Sequence, residues 1–335
     1  MENGYNQFRK RRTLITVVTT IALALLIIYL VAHGHKKTIV DPAFSKYIES
    51  YTTGVISKQS PIRIRLASDV QVTHQQNEEV TEDLFNFSPA IKGKVIWTDA
   101  RTIEFRPDEK LAPGKNYTAD FKLSKLIEVS GHFEHFKFNF QVIQPDFTVS
   151  FVGMQTASST SNTEMKLTGD VQTADAEDPS AVDKILVSNY SSPVKINWEH
   201  DAAHKNHHFT ITGLTRIAGK ANPLTIKWDG SSISVDKKGS QNFEVPAIGD
   251  FKVLNIRAVQ DNDQYVEVQF SDNILVGQEL NGLITINNIT DPAYSIDGSL
   301  VKVYAPDRLQ GDYTISVNEG IKKHAPEKDH EGLYR

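Results

Sequence analysis

Cysteine is absent from the 335 residues. That excludes disulfides, thiolate metal ligands, a cysteine nucleophile and the lipid-modified cysteine of a bacterial lipoprotein. Any attachment to a membrane must therefore come from hydrophobic sequence. An excess of positive charge is missing too: 36 Lys and Arg stand against 41 Asp and Glu, for a formal net charge of -5. Such a chain offers no extended basic field to neutralise a phosphate backbone, and nucleic acid is not an expected partner. Catalytic signatures are lacking as well. There is no Gly-x-Ser-x-Gly and no Ser, His and acid grouping in a recognisable local context. Neither Gly-x-Gly-x-x-Gly nor the Gly-x-x-x-x-Gly-Lys-Ser/Thr phosphate cradle occurs. The expectation is a non-enzyme with no cofactor, no metal and no catalytic residue. What remains, 39% hydrophobic and 23% charged, is ordinary globular material for two to three domains of about 100–150 residues each.

One long hydrophobic run is present. Residues 13–32, TLITVVTTIALALLIIYLVA, are twenty positions without a charge, and a helix of that length spans about 30 Å, the hydrocarbon thickness of a bilayer. Arg9, Lys10, Arg11 and Arg12 precede it, whereas only Lys36 and Lys37 follow closely. The positive-inside rule then puts residues 1–12 in the cytoplasm and everything after Lys36 outside it. A cleavable signal peptide is the rival reading, with small residues at Ala32 and Gly34, but the run exceeds the usual apolar core of ~7–15 residues. A buried core helix would need a polar stripe that the run lacks. The sequence thus predicts an uncleaved anchor followed by a tether over 33–42.

Beyond the tether the texture changes to segments of four to eight residues with apolar side chains at alternate positions, bounded by Gly, Pro, Asn and Asp. This is the pattern of half-buried antiparallel strands. The clearest cover residues 62–66, 94–97, 102–105, 117–121 and 136–140. Residues 43–51 read as a helical turn or an initial strand. No amphipathic helix of ten or more residues follows the anchor, which argues against an α/β nucleotide-binding architecture and for tandem antiparallel immunoglobulin-like β-sandwiches.

An internal repeat helps to draw the boundaries. In the run 97–118, Pro107-Asp108, Leu111, Gly114 and Tyr117 match Pro306-Asp307, Leu309, Gly311 and Tyr313 in the run 294–314. A looser version of the same rhythm runs from Phe209 to Gly230. The shared unit reads as two strands joined by a connection in which Pro fixes φ and Gly permits a left-handed turn. Tyr117 and Tyr313 then resemble the corner tyrosine of immunoglobulin-like sandwiches, a structural role. The predicted domains are 43–144, 145–248 and 249–335. The last is expected to be incomplete, because a polar stretch follows Lys322 where a final edge strand should begin, and the chain is read as the front part of a longer protein.

Candidate sites are few. His200, His204, His207 and His208 could share a Zn²⁺ if they stood on one helix face. Between Trp198 and the strand that starts at Phe209 they read instead as a polar hairpin loop with splayed side chains, and His132 and His135 read as strand-edge residues. Asp261, Asp263, Asp272 and Asp291 raise calcium, but Asp261-Asn262-Asp263 lacks the Gly and the terminal Glu of a calcium loop, so a turn is the better reading. The sequons at Asn86, Asn116, Asn189 and Asn288 matter only in a eukaryotic secretory setting. Trp97, Trp198 and Trp228 fall in alternating strand patterns and read as core residues rather than a carbohydrate platform.

The segments Tyr51-Thr-Thr-Gly-Val-Ile-Ser-Lys-Gln-Ser-Pro-Ile-Arg-Ile-Arg-Leu, Leu84-Phe-Asn-Phe-Ser-Pro-Ala-Ile-Lys-Gly-Lys-Val-Ile-Trp and Arg101-Thr-Ile-Glu-Phe-Arg-Pro-Asp-Glu-Lys-Leu-Ala-Pro-Gly-Lys-Asn-Tyr together resemble the N-terminal region of bacterial alpha-2-macroglobulins. The likeness covers the first and third predicted domains, although its Phe-x-Pro and Leu-x-Pro-Gly-x-x-Tyr pieces also occur in generic bacterial immunoglobulin-like repeats. It implies macroglobulin-like sandwiches at the front of a protease-trapping protein of the bacterial inner membrane. That protein would have its N-terminus in the cytoplasm, its domains in the periplasm, and proteases as partners through parts outside this chain. The family's bait segment and Cys-x-Glu-Gln thioester have no counterpart in this cysteine-free sequence. An adhesin or cell-surface stalk built from immunoglobulin-like repeats is the alternative.

Overall fold

The computed structural model describes residues 39–70, 77–158, 162–201, 205–260 and 262–324. The expected anchor at 13–32 lies outside them. Among the described residues no helix is long and apolar enough to cross a membrane. The chain divides into two compact units, Met1–Ile143 and Gln144–Arg335.

Alternation in the first unit becomes strand wherever the sequence shows it. His135-Phe-Lys-Phe-Asn-Phe-Gln-Val142 sends Phe136, Phe138, Phe140 and Val142 inward at 2% exposure or less, and the polar residues between them outward. Each such side chain contributes about 1.5–3 kcal/mol when it leaves water. Eight strands result: β1 (Ile48–Tyr51), β2 (Gly54–Ile56), β3 (Ile62–Leu66), β4 (Phe85–Ser88), β5 (Gly93–Trp97), β6 (Thr102–Pro107), β7 (Asn116–Lys122) and β8 (His135–Val142). One sheet runs β1-β3-β6-β5 and the other β2-β8-β7-β4. In immunoglobulin terms these are strands A-B-E-D facing A′-G-F-C, with β2 parallel to β8. Both readings of residues 43–51 hold in part, since a 3₁₀ turn over Pro42–Lys46, capped by Asp41, leads directly into β1.

The second unit contains two further hydrophobic cores. Around the first stand β9 (Phe147–Thr156), β10 (Glu164–Thr173), β11 (Leu186–Asn189), β12 (Lys195–Asp201), β13 (Asn206–Thr215), β14 (Asn222–Asp229) and β15 (Lys238–Val245). Their sheets, β9-β10-β13-β12 and β11-β14-β15, repeat the A-B-E-D and C-F-G order. Around the other stand β16 (Val253–Gln260), β17 (Gln264–Phe270), β18 (Ile284–Ile286), β19 (Ala293–Asp297), β20 (Leu300–Tyr304) and β21 (Ile315–Val317). Here β16-β17-β20-β19 is again A-B-E-D, but the facing sheet is β18-β21 alone. Among the described residues this sandwich has strands C and F and no strand at position G.

The repeat seen in the sequence is the connection from strand E to strand F. Gly114 and Gly311 both take positive φ, +71° and +101°, where a side chain would be strained. Tyr117 is the second residue of β7, and its hydroxyl accepts from the Ala112 N–H at 3.3 Å, which is the backbone contact of a tyrosine corner. Tyr313 packs against the third core.

Candidate functional site

His200 stands in β12 and His207 and His208 in β13, rather than in the expected loop. The reason is register: β12 and β13 pair so that His200 stands directly opposite His207. His207 is fully buried. Its Nδ1 lies 3.0 Å from Nδ1 of His200, whose Nε2 is 3.1 Å from Asp183. Burial, then the neighbouring His200, lowers the pKa of His207, so the ring is held neutral. His208 points to the opposite face, against Asp170 at 2.9 Å, because adjacent strand residues alternate. His204 lies outside the described residues. The four therefore do not converge, and among the described residues no group of three or more His, Cys, Asp or Glu side chains is arranged to hold a metal. His132 sits in a 3₁₀ turn against Asp41, and His135 begins β8 against Asp120. Trp97 is core, whereas Trp198 and Trp228 are half-buried against the second core.

Of the aspartates weighed for calcium, Asp261 lies outside the described residues and Asp263 falls between β16 and β17. Asp291 takes a positive φ of 50°, a conformation that Asp tolerates in turns. Asp272 is different. It is 2% exposed and it meets Arg216, whose side chain is fully buried. Nη1 of Arg216 donates to the carbonyls of Asn162 (3.0 Å) and Ser271 (2.9 Å) and to Asp272 Oδ1 (3.1 Å). Nη2 donates to the carbonyls of Ala247 (2.7 Å) and Asp250 (3.2 Å) and to Asp272 Oδ2 (3.1 Å). Nε donates to the Pro246 carbonyl at 3.2 Å. Asp272 also accepts from Asn162 Nδ2 at 2.9 Å and from the Ser271 hydroxyl at 2.8 Å. Burial alone would raise its carboxyl; the hydrogen bonds from Arg216, Ser271 and Asn162 outweigh that and hold its pKa below the usual carboxylate value.

This cluster is a joint. Arg216 follows strand E of the second sandwich, residues 246–252 are the linker, and Ser271-Asp272 follow strand B of the third. Around it Thr156 Oγ1 meets Ser299 Oγ at 3.0 Å, Asn255 Nδ2 donates to the Val152 carbonyl at 2.8 Å, and Leu254 packs against the second core. A buried charge pair is tolerable only when its remaining donors and acceptors are satisfied, and here a planar five-donor fork meets carbonyls from both sides. The arrangement can lock two sandwiches at a fixed angle. Sequence reasoning passed over Arg216 because its partners come from segments around 162, 246–250 and 271–272, with no local motif. The only signal was an arginine next to the apolar alternation Phe209-x-Ile211 to Leu214.

No protein-family model matches the chain, and no curated protein matches it. Among solved structures it is similar to L,D-transpeptidase 3 from Mycobacterium tuberculosis, with 14% identity and a TM-score of 0.22 over 40% of this chain and 49% of that one. It thus spans about half the length of that protein. An L,D-transpeptidase from M. tuberculosis H37Rv gives 14% identity and 0.22, over 47% of this chain and 67% of that one. The ICAM-5 D1-D4 ectodomain fragment gives 9% identity and 0.24, over 81% and 72%. The immunoglobulin-like assignment rests on the strand order itself.

Proposed function

We propose that this chain is the membrane-side scaffold of a single-pass bacterial inner-membrane protein of the alpha-2-macroglobulin type, a protease trap whose sandwiches stand in the periplasm. On this reading residues 13–32 are the anchor and the chain itself performs no catalysis. It holds the protease-reactive part of the protein away from the bilayer and transmits movement when a bait is cut. The observation that carries the reading is the Arg216–Asp272 joint. A stalk needs only connected domains, whereas a device that converts a cut into a change of shape needs domains that move as rigid bodies, and the three donor contacts of Arg216 to Ser271 and Asp272, with three more to the linker, would make such a body of the second and third sandwiches.

The test is to solubilise the protein as the cell makes it from membranes, mix it with a panel of unrelated proteases, and follow it by native gel and electron microscopy. Compaction with retention of the protease is expected. Digestion into separate domains without capture would overturn the trap and leave the adhesin or stalk as the better account.

A further inference from the structure

Strand D of the second sandwich, β12, is the outermost strand of its sheet and pairs with β13 alone. Its residues Ile196, Trp198 and His200 stand opposite Ile211, Phe209 and His207. Ile196 and Trp198 pack against the second core, and Trp198 lies edge-on to Phe209 and stacks on His200 with ring centres 5.8 Å apart. Asp183 caps the C-terminus of a short helix, Pro179–Val182, that leads to β11 in the facing sheet. The 3.1 Å contact between His200 Nε2 and Asp183 therefore ties the edge of one sheet to the approach of the other. A carboxylate only accepts, so Nε2 of His200 carries a hydrogen, and Nδ1 of the neutral ring is then an acceptor. His207 fills that role with its Nδ1–H at 3.0 Å. Behind it, Nε2 of His207 faces the Thr173 hydroxyl at 3.5 Å, and that hydroxyl donates to the Asp175 carbonyl at 2.7 Å.

We propose that His207, His200 and Asp183 form an acid-sensitive latch that holds edge strand β12 on the second sandwich at neutral pH and releases it when both rings become protonated. The 3.0 Å gap admits one hydrogen. Once both rings are charged, each Nδ1 carries its own, and the contact becomes a repulsion between two N–H groups and two cations. His207 is fully buried, whereas the side chain of His200 is 17% exposed on an edge strand, so the movement falls to β12. The charged groups around His207 are His200 and Asp201 on β12, Asp183 after the helix, and Asp175 after β10. Lys205, just before β13, spends its ammonium on the Ala174 carbonyl at 3.0 Å. Burial, then His200, outweigh the carboxylates of Asp183 and Asp201, and the pKa of His207 lies below the ordinary imidazole value. The closed latch thus binds fewer protons than the open strand. Its contribution is complete above about pH 6.5 and is lost as the pH falls from there toward the folded pKa. The latch is independent of the protease-trap reading.

The test is amide hydrogen exchange on the full chain in detergent from about pH 7.5 to about pH 5, a window set by the imidazole value, with rates corrected for the intrinsic effect of pH. Opening of residues 196–201 is expected to rise about 10-fold for each pH unit below about 6.5, while β10 and β3 keep their protection. His207→Phe keeps a ring in the core and removes the titrating group, so it should abolish the rise. His208→Gln, on the opposite face against Asp170, should leave the rise as it is. If His207→Phe fails to fold, the wild type decides: the ring-carbon NMR shifts of His207 should move over the same pH range in which β12 loses protection. Protection of β12 unchanged down to the lowest pH, or an equal rise in His207→Phe, would overturn the latch. So would titration of His207 with β12 still protected, or loss of the rise in His208→Gln. Loss of protection across the whole sandwich at one pH would also overturn it, as plain acid unfolding.

Discussion

Every N–H of the Arg216 guanidinium faces an oxygen, and that completeness makes the residue costly to alter. Arg216→Ala would leave the Asp272 carboxylate buried with its main counter-charge gone, and removal of one partner from such a pair costs about 3–5 kcal/mol. Urea denaturation should show that loss, and limited proteolysis should find new cleavage in the linker 246–252. Asp272 also sets an acid limit. Its folded pKa lies below the unfolded value, so the stability it contributes is complete above the unfolded Asp value of about 3.9 and drains away as the pH falls through the folded one. The urea midpoint of the wild-type protein should therefore fall with acidification below about pH 4. A midpoint unmoved by Arg216→Ala would mean that the joint contributes nothing to the docking of the two sandwiches. This residue also marks the limit of what the sequence could disclose. Tyr117 was legible because its corner contact lies five residues away. Arg216 was not, because its carbonyl and carboxylate partners lie 30 to 56 residues away.

At the scale of the element, legibility follows the local period. β3 was read residue for residue from Ile62-Arg-Ile-Arg-Leu66, and the middle of β8 from Phe136, Phe138 and Phe140, because the code for a half-buried strand is complete within the strand. The histidines of β12 and β13 misled because their meaning depends on cross-strand register, which sets His200 against His207 and turns His208 outward. Glycines inside strands behave similarly. Gly239 on β15 pairs with Trp228 on β14, and a Cβ there would meet the indole ring at 2.4 Å, so the ring lies over the space the glycine leaves. Gly239→Val should displace Trp228 and cost about 1–3 kcal/mol, with a shift in tryptophan emission before any denaturant is added. Ser240→Val, on the same strand but exposed, should stay within about 0.5 kcal/mol of wild type. Equal effects from both would mean that β15 packs differently from the pairing described.

For the whole molecule, the question raised by the proposed anchor is where the sandwiches lie relative to a membrane, and the missing cysteine makes it answerable with little interference. A chain without a native thiol reports the location of any single cysteine placed in it. Val187 on β11 is 61% exposed, so Val187→Cys offers a thiol on an accessible strand face, while Asn6→Cys places one among the residues before the Arg9–Arg12 cluster. If residues 13–32 span the inner membrane with that cluster inside, a membrane-impermeant maleimide applied to intact spheroplasts should label Val187→Cys and leave Asn6→Cys unmodified until the cells are permeabilised. Recovery of labelled Val187→Cys protein in the soluble periplasmic fraction would instead mean that the hydrophobic run is cleaved as a signal. Labelling of Asn6→Cys before permeabilisation would reverse the orientation and remove the sandwiches from the periplasm, and with them the protease trap proposed for that compartment.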